Sequence, residues 1–203
     1  DLLRDHFSSI AFPMLRVMRR QTAEVSATVD SAIVQGHFRL LDCFFERYVP
    51  SATNEVAFEH VLSLEKQLTP MFLFTLVWSA GATCDNAGRQ IFSAALWQLL
   101  RDLGIKSFGG EPTIPEGGFV YDYLCQFGED GGHWTPWAQV GPEYKVPTVA
   151  AYQDIVVPTE DSIRLMHIVS MLLVRGKHTI VAGNTGTGKS VYISMWMQQG
   201  APA

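Results

Sequence analysis

The sequence predicts a mixed architecture: a helical bundle over residues 1–104, a short β-rich connection over 105–154, and the opening of an α/β core over 155–203. Three observations predict it. Leu2 to Leu103 consists of glycine-poor segments with helical periodicity, Ile105 to Tyr152 is broken every few residues by glycine or proline, and Gly183, Asn184, Thr185, Gly186, Thr187, Gly188, Lys189 and Ser190 spell G-x-x-x-x-G-K-S.

In the first region, Pro50-Ser51, Thr69-Pro70 and Gly81-Ala82-Thr83 separate four or more helices. Ile33, Val34, Phe38, Leu41, Phe45 and Tyr48 follow the three-and-four spacing of an amphipathic helix, with Gln35, Arg39, Asp42 and Glu46 opposite, so the aromatic stripe reads as core. A helix from Asn54 to Gln67 follows, then an apolar one from Pro70 to Ser79 that must be buried almost all round. The next begins at Gly88 or Arg89 and runs through Leu103, with Ile91, Phe92, Ala95, Leu96, Leu99, Leu100 and Leu103 as its apolar set and Gly104 as its stop.

The connection holds short runs such as Phe119-Val120-Tyr121-Asp122-Tyr123 between glycines and prolines. It reads as small strands or a hairpin, because Trp134, Trp137 and several tyrosines are too apolar to leave in solvent. Asp122, Glu129, Asp130 and His133 could be assembled into a metal or acid–base site, but scattered carboxylates in a loop-rich segment are far more often solvated. His6, His37, His60, His167 and His178 are isolated and carry no ligand pattern.

Ile155, Val156 and Val157 are extended, and Pro158 ends the run. Thr159 or Asp161 then caps a helix through Val174, with Ile163, Met166, Val169 and Leu173 at helical spacing and Gly176 at its end. Thr179, Ile180, Val181 and Ala182 read as a buried strand, and Val191 to Gln199 as a helix. Strand, glycine turn and helix are the setting of a phosphate-binding P-loop. There, backbone N–H groups and the helix N-terminus face a polyphosphate, Lys189 reaches the β- and γ-phosphates, and the Ser190 hydroxyl is offered to Mg²⁺. Such a match arises by chance in roughly one chain of this length in a hundred. Val156, Val157, Pro158 and Thr159 admit two readings: the adenine side of a nucleotide site, or a helix-capping turn.

Composition sets limits on the rest. The 203 residues are 47% hydrophobic, enough for a packed core. A formal charge of -5 without a basic cluster argues against nucleic acid or an anionic membrane as partner. The longest nearly apolar run, Met71 to Val77, is too short to span a bilayer, and Asp1 to Arg4 resembles no targeting peptide, so an intracellular soluble protein or a piece of one is expected. Cys43, Cys84 and Cys125 form no C-x-x-C pair and share no repeat. No apolar strand ending in Asp-Glu follows the P-loop within these residues, so no catalytic residue is assigned. The P-loop lies late in the chain and Asn-Lys-x-Asp is absent, which disfavours a small kinase or GTPase.

Val157-Pro158-Thr159, Asp161, Ile163-Arg164 and Gly183 to Tyr192 resemble the start of the third AAA+ module of dynein heavy chains. Val77-Trp78-Ser79-Ala80-Gly81-Ala82-Thr83 with Arg89 and Phe92, then Gly118 to Tyr123 with Trp134 and Trp137, resemble the stretch leading into it from the second module. Nearly the whole chain is covered. The resemblance implies a helical small (lid) subdomain of a preceding module, a β-rich connection, and a truncated AAA+ core that binds ATP or ADP with Mg²⁺. It further implies a regulatory role in an ATP-driven microtubule motor. The implied partners are the neighbouring AAA+ modules, the microtubule, and the intermediate and light chains. Ser190-Val191-Tyr192-Ile193 looks axonemal, implying a cilium or flagellum. Asn184 stands where many relatives carry proline, a departure that bears on loop rigidity.

Overall fold

The computed structural model describes residues 1–48, 58–105, 108–109, 113–128, 131–141 and 156–199. Helix α4 (Phe58–Ser79) is the element the others surround. Every residue from Pro70 to Gly81 is buried, because Met71, Phe72, Leu73, Phe74, Leu76, Val77 and Trp78 leave no polar stripe and such a helix must be enclosed on all sides. The predicted break at Thr69-Pro70 does not occur: α4 runs through Pro70. A proline inside a helix costs a hydrogen bond and crowds the carbonyl four residues earlier. Here burial of the following apolar turns outweighs that cost, and the ring packs where Gly109 and Gly132 leave room, an added Cβ at either lying 3.1 Å from it. Of the helix expected from Asn54, residues 54–57 lie outside the described ones.

Helices α1 (Leu2–His6) and α3 (Asp30–Phe45) pack on α4, and a π-helical turn (Phe7–Ala11) leads from α1 into α2 (Phe12–Gln21), which packs mainly on the helix that follows α4. The widened turn comes just before Pro13, whose ring would otherwise press on the Ser9 carbonyl. Helix α3 buries Ile33, His37, Leu40, Leu41 and Cys43. Phe38, expected in that apolar face, is 47% exposed and stacks on Phe7 at 4.9 Å. Five residues on from Ile33, it sits well round the helix from the buried stripe.

Helix α5 (Asn86–Asp102) starts earlier than predicted because Asp85 caps it, accepting from Gly88 N at 2.7 Å. It buries Phe92, Leu96, Trp97 and Leu100. Ile91 and Leu103, expected in the apolar set, are exposed; Leu103 is the C-cap, and Gly104 follows it at φ +72°.

The connection folds onto the bundle. Strand β1 (Tyr123–Gly128) pairs antiparallel with β2 (Gly131–Pro136), Cys125 opposite Trp134, and α6 (Trp137–Val140) follows. The run Phe119 to Tyr123 is not wholly strand: Val120–Asp122 forms a 3-10 turn that tucks Tyr121 into the core. Two aromatic polar atoms tie the segment to the bundle, and a third fastens it to itself. Tyr121 Oη donates to the Gly81 carbonyl at 2.9 Å, Trp97 Nε1 to Gly118 O at 2.8 Å, and Trp134 Nε1 to Gly109 O at 2.8 Å. Only glycine fits at 81, since a Cβ there would lie 2.4 Å from Tyr121 Oη.

Phe74, 1% exposed, touches the rings of Phe44, Trp78 and Trp134 with centroids at 5.8, 6.4 and 6.1 Å. Phe74→Ala is expected to cost about 3 to 5 kcal/mol. Thermal unfolding of a protein containing the complete preceding module checks it; an unchanged Tm would show that α4 is not a core helix.

His37 lies between Phe7 and Phe72, its ring nitrogens 3.4 Å from the Thr75 and Ser79 hydroxyls. Burial lowers its pKa from 6.5 to about 3. Because the unfolded chain takes the proton first, stability is full above pH 6.5 and is lost as pH falls towards 3, by at most about 1.4 kcal/mol per unit. His37→Phe should flatten that acid limb in urea unfolding, and a limb unchanged by the substitution would place the proton uptake elsewhere.

Candidate nucleotide-binding site

Helix α7 (Glu160–Val174) carries the chain to the loop. Thr159 is its N-cap: Thr159 Oγ1 accepts from Ser162 N at 3.2 Å, and Ser162 Oγ accepts from Thr159 N at 2.8 Å. Glu160 and Asp161 in the first turn complement the helix dipole. The helix closes at Gly176 (φ +65°), with Lys177 N donating to Leu172 O at 2.9 Å. Its inner face reaches the core through Ile168, and Arg164 donates to Tyr121 O (3.3 Å) and Asp122 Oδ1 (3.2 Å) while pairing with Asp161. Asp122 is thus an ion-pair partner of Arg164.

The predicted strand Thr179 to Ala182 is not a strand. Residues 177–184 have no regular secondary structure, and Ile180 is 94% exposed. A β-strand exists only by pairing. Among the described residues no strand lies beside this one, since β1 and β2 pair with each other.

The loop itself is formed by local chemistry. Gly186 (φ +82°) and Gly188 (φ +78°) take the left-handed turns that other residues resist, and α8 (Lys189–Gln199) begins at the lysine. Thr187 Oγ1 donates to Asn184 O at 2.9 Å. The Lys189 ammonium curls back into the loop, donating to Gly183 O (2.9 Å), Asn184 O (2.5 Å) and Thr187 Oγ1 (3.2 Å). Those partners are neutral oxygens. None of the N–H groups from Gly186 to Ser190 donates to a backbone carbonyl among the described residues. A lysine whose partners among the described residues are neutral oxygens, in a glycine turn at a helix N-terminus, fits phosphate. Thr185 and Ser190 are exposed, and the Ser190 hydroxyl on the first turn of α8 is one oxygen of the several that Mg²⁺ takes.

The structure thus brings Gly183 to Ser190 together as one loop. Val156 and Pro158 are half-buried, Val157 is 55% exposed, and the Thr159 hydroxyl is used by the cap. Residue 155 lies outside the described ones. Ion pairs join Arg175 to Glu46 and Lys177 to Asp42, the latter at 3.1 Å. Sequence reasoning missed these pairs. The only signal was the i, i+4 spacing of Asp42 and Glu46, in the last turn of α3 and at its C-cap, which names no partner.

A family profile described as the Dynein heavy chain AAA lid domain matches residues 3–139. The chain belongs to the dynein heavy chain family. A second profile, the P-loop containing dynein motor region, matches residues 144–202. Among dynein relatives, Dynein axonemal heavy chain 1 of Homo sapiens is 30% identical over 94% of this chain, and Dynein axonemal heavy chain 12 of Homo sapiens is 31% identical over 95%. Dynein axonemal heavy chain 5 of Mus musculus is 29% identical over 68%. The chain spans about 5% of the length of the first of these dyneins, 6% of the second and 3% of the third.

Proposed function

We propose that this part of a dynein heavy chain binds ATP or ADP with Mg²⁺ at the Gly183–Ser190 loop, and that the site regulates the motor by coupling nucleotide state to conformation. The observation that carries the reading is the Lys189 ammonium, held by neutral oxygens within a glycine turn that opens a helix. Lys189 and the backbone of Gly183 to Gly188 would hold the phosphates and Ser190 the metal, which when bound neutralises phosphate charge. Val156 to Thr159 are the adenine-side candidates, with Val157 offering exposed apolar surface. The proposed division is a lid over 1–104, a connection over 105–154 and an AAA+ core segment over 155–203. The whole motor's properties follow as proposals from its relatives: neighbouring AAA+ modules, the microtubule and intermediate and light chains as partners, ATP-driven movement, and residence in a cilium or flagellum.

A second reading is nucleotide holding without turnover. Among the described residues the hydrogen bonds of the loop lysine go to carbonyl and hydroxyl oxygens, an arrangement that serves phosphate binding in either reading. An apolar strand ending in Asp-Glu in the parent chain after Ala203 separates the two readings.

Lys189→Ala in the parent heavy chain should lower labelled-ATP affinity at this site by about ten- to hundredfold, the loss of a charge-assisted contact, and leave the fold intact. Undiminished occupancy in a folded variant would remove the assignment.

A further inference from the structure

The two ends of α7 are fastened to the rest of the molecule in different ways. Its N-terminal half is anchored by Arg164, whose side chain is 11% exposed and bonded to Tyr121 and Asp122. Its C-terminal half meets α3, where Met171 O accepts from Cys43 Sγ at 3.7 Å and Ser170 is buried, beside an open groove. A cavity of about 280 Å³, lined by Phe44, Leu124, Phe127, His167, Met171 and Arg175 among others, lies between α7, α3 and β1. Charge bridges the gap. Arg175 pairs with Glu46, Lys177 Nζ lies 3.1 Å from Asp42 Oδ2, and Arg39 Nη1 donates to the His178 carbonyl at 3.5 Å. Immediately after His178 comes the unpaired segment that leads into the P-loop.

We propose that Asp42 of α3 and Glu46 at its C-cap form a charge latch on the P-loop lead-in, so that the position of α3 sets the order of residues 175–182 and through them the nucleotide affinity of the loop. The coupling rests on the nucleotide-binding reading above; the latch itself does not. The groove beside the C-terminal half leaves room for movement, and the buried Arg164 contacts at the other end supply a pivot. The latching side chains are between about a third and two thirds exposed, so each pair is individually weak, opens reversibly and is screened by salt. An apolar seam would hold the two elements in one place; a charge latch lets them part and return.

The test uses the parent heavy chain with three variants: Asp42→Lys with Glu46→Lys, Arg175→Glu with Lys177→Glu, and all four together. Hydrogen exchange of the peptide covering residues 175–182 is measured without nucleotide, and labelled-ATP affinity at this site separately. Either one-sided reversal should raise exchange and weaken ATP affinity by about three- to tenfold, and the fourfold swap should restore both. Asp42 lies on α3 and Glu46 is its C-cap, both away from the loop, so an affinity change cannot come from lost phosphate contact. Exchange that ignores the reversals, or that the swap fails to restore, overturns the latch. Exchange that responds while ATP affinity stays constant overturns the coupling. If the unaltered chain binds no ATP here, the nucleotide reading fails, and exchange still decides the latch.

Discussion

The buried stretch of α4 from Pro70 to Gly81 constrains everything else in the chain. Apolar on every face, it cannot lie at a surface, so α1, α3 and the hairpin with its preceding turn cover it. The hairpin is too small to stand alone. Tyr121 in that preceding turn donates to Gly81 O, Trp97 of α5 donates to Gly118 O, and Trp134 of β2 buries its ring beside Phe74, which makes bundle and connection share one core. Burial also pushes the Tyr121 phenol up, keeping it a neutral donor to Gly81. A tyrosine in this position serves as a peg between the end of α4 and the arrival of Arg164 from α7.

The consequence for the site is mechanical. Among the described residues the P-loop is joined to the well-packed body through α7 and through the contacts of Lys177 and His178 with α3, and α7 is pinned by Arg164 at one end and bridged by charge at the other. Beyond it the chain is exposed, from Ile180 through the glycine turn and into α8, where Val191 and Met197 also face solvent. Exposed apolar residues on both flanks of a phosphate-type loop suit a segment that completes its packing against further parts of an AAA+ ring.

Much of this was legible in the sequence, for physical reasons that differ by region. The loop was readable because Gly186, Gly188 and Lys189 act through backbone geometry within a few residues, which needs no tertiary context. The cap at Thr159, the stops at Gly104 and Gly176, and the all-round burial of α4 are equally local. What was not legible depended on distant partners. Pro70 reads as a break until Gly109 and Gly132 are seen to make room for it. Phe38 and Ile91 read as core because periodicity reports a face and not its edges. Thr179 to Ala182 has the composition of a strand but no neighbour among the described residues. The pairing of Asp42 and Glu46 with Lys177 and Arg175 spans more than a hundred residues, where spacing carries no information.

The central claim is that the Gly183–Ser190 loop is a phosphate site whose lysine is held by the loop's own carbonyls until an anion takes their place. Cryo-electron microscopy of the parent heavy chain at saturating ATP tests it most directly. The account predicts phosphate density within hydrogen-bond reach of the N–H groups of Gly186 to Ser190, with the Lys189 ammonium moved from Gly183 O and Asn184 O onto that density. A well-ordered loop with no phosphate density, and Lys189 still on the two carbonyls, would contradict it.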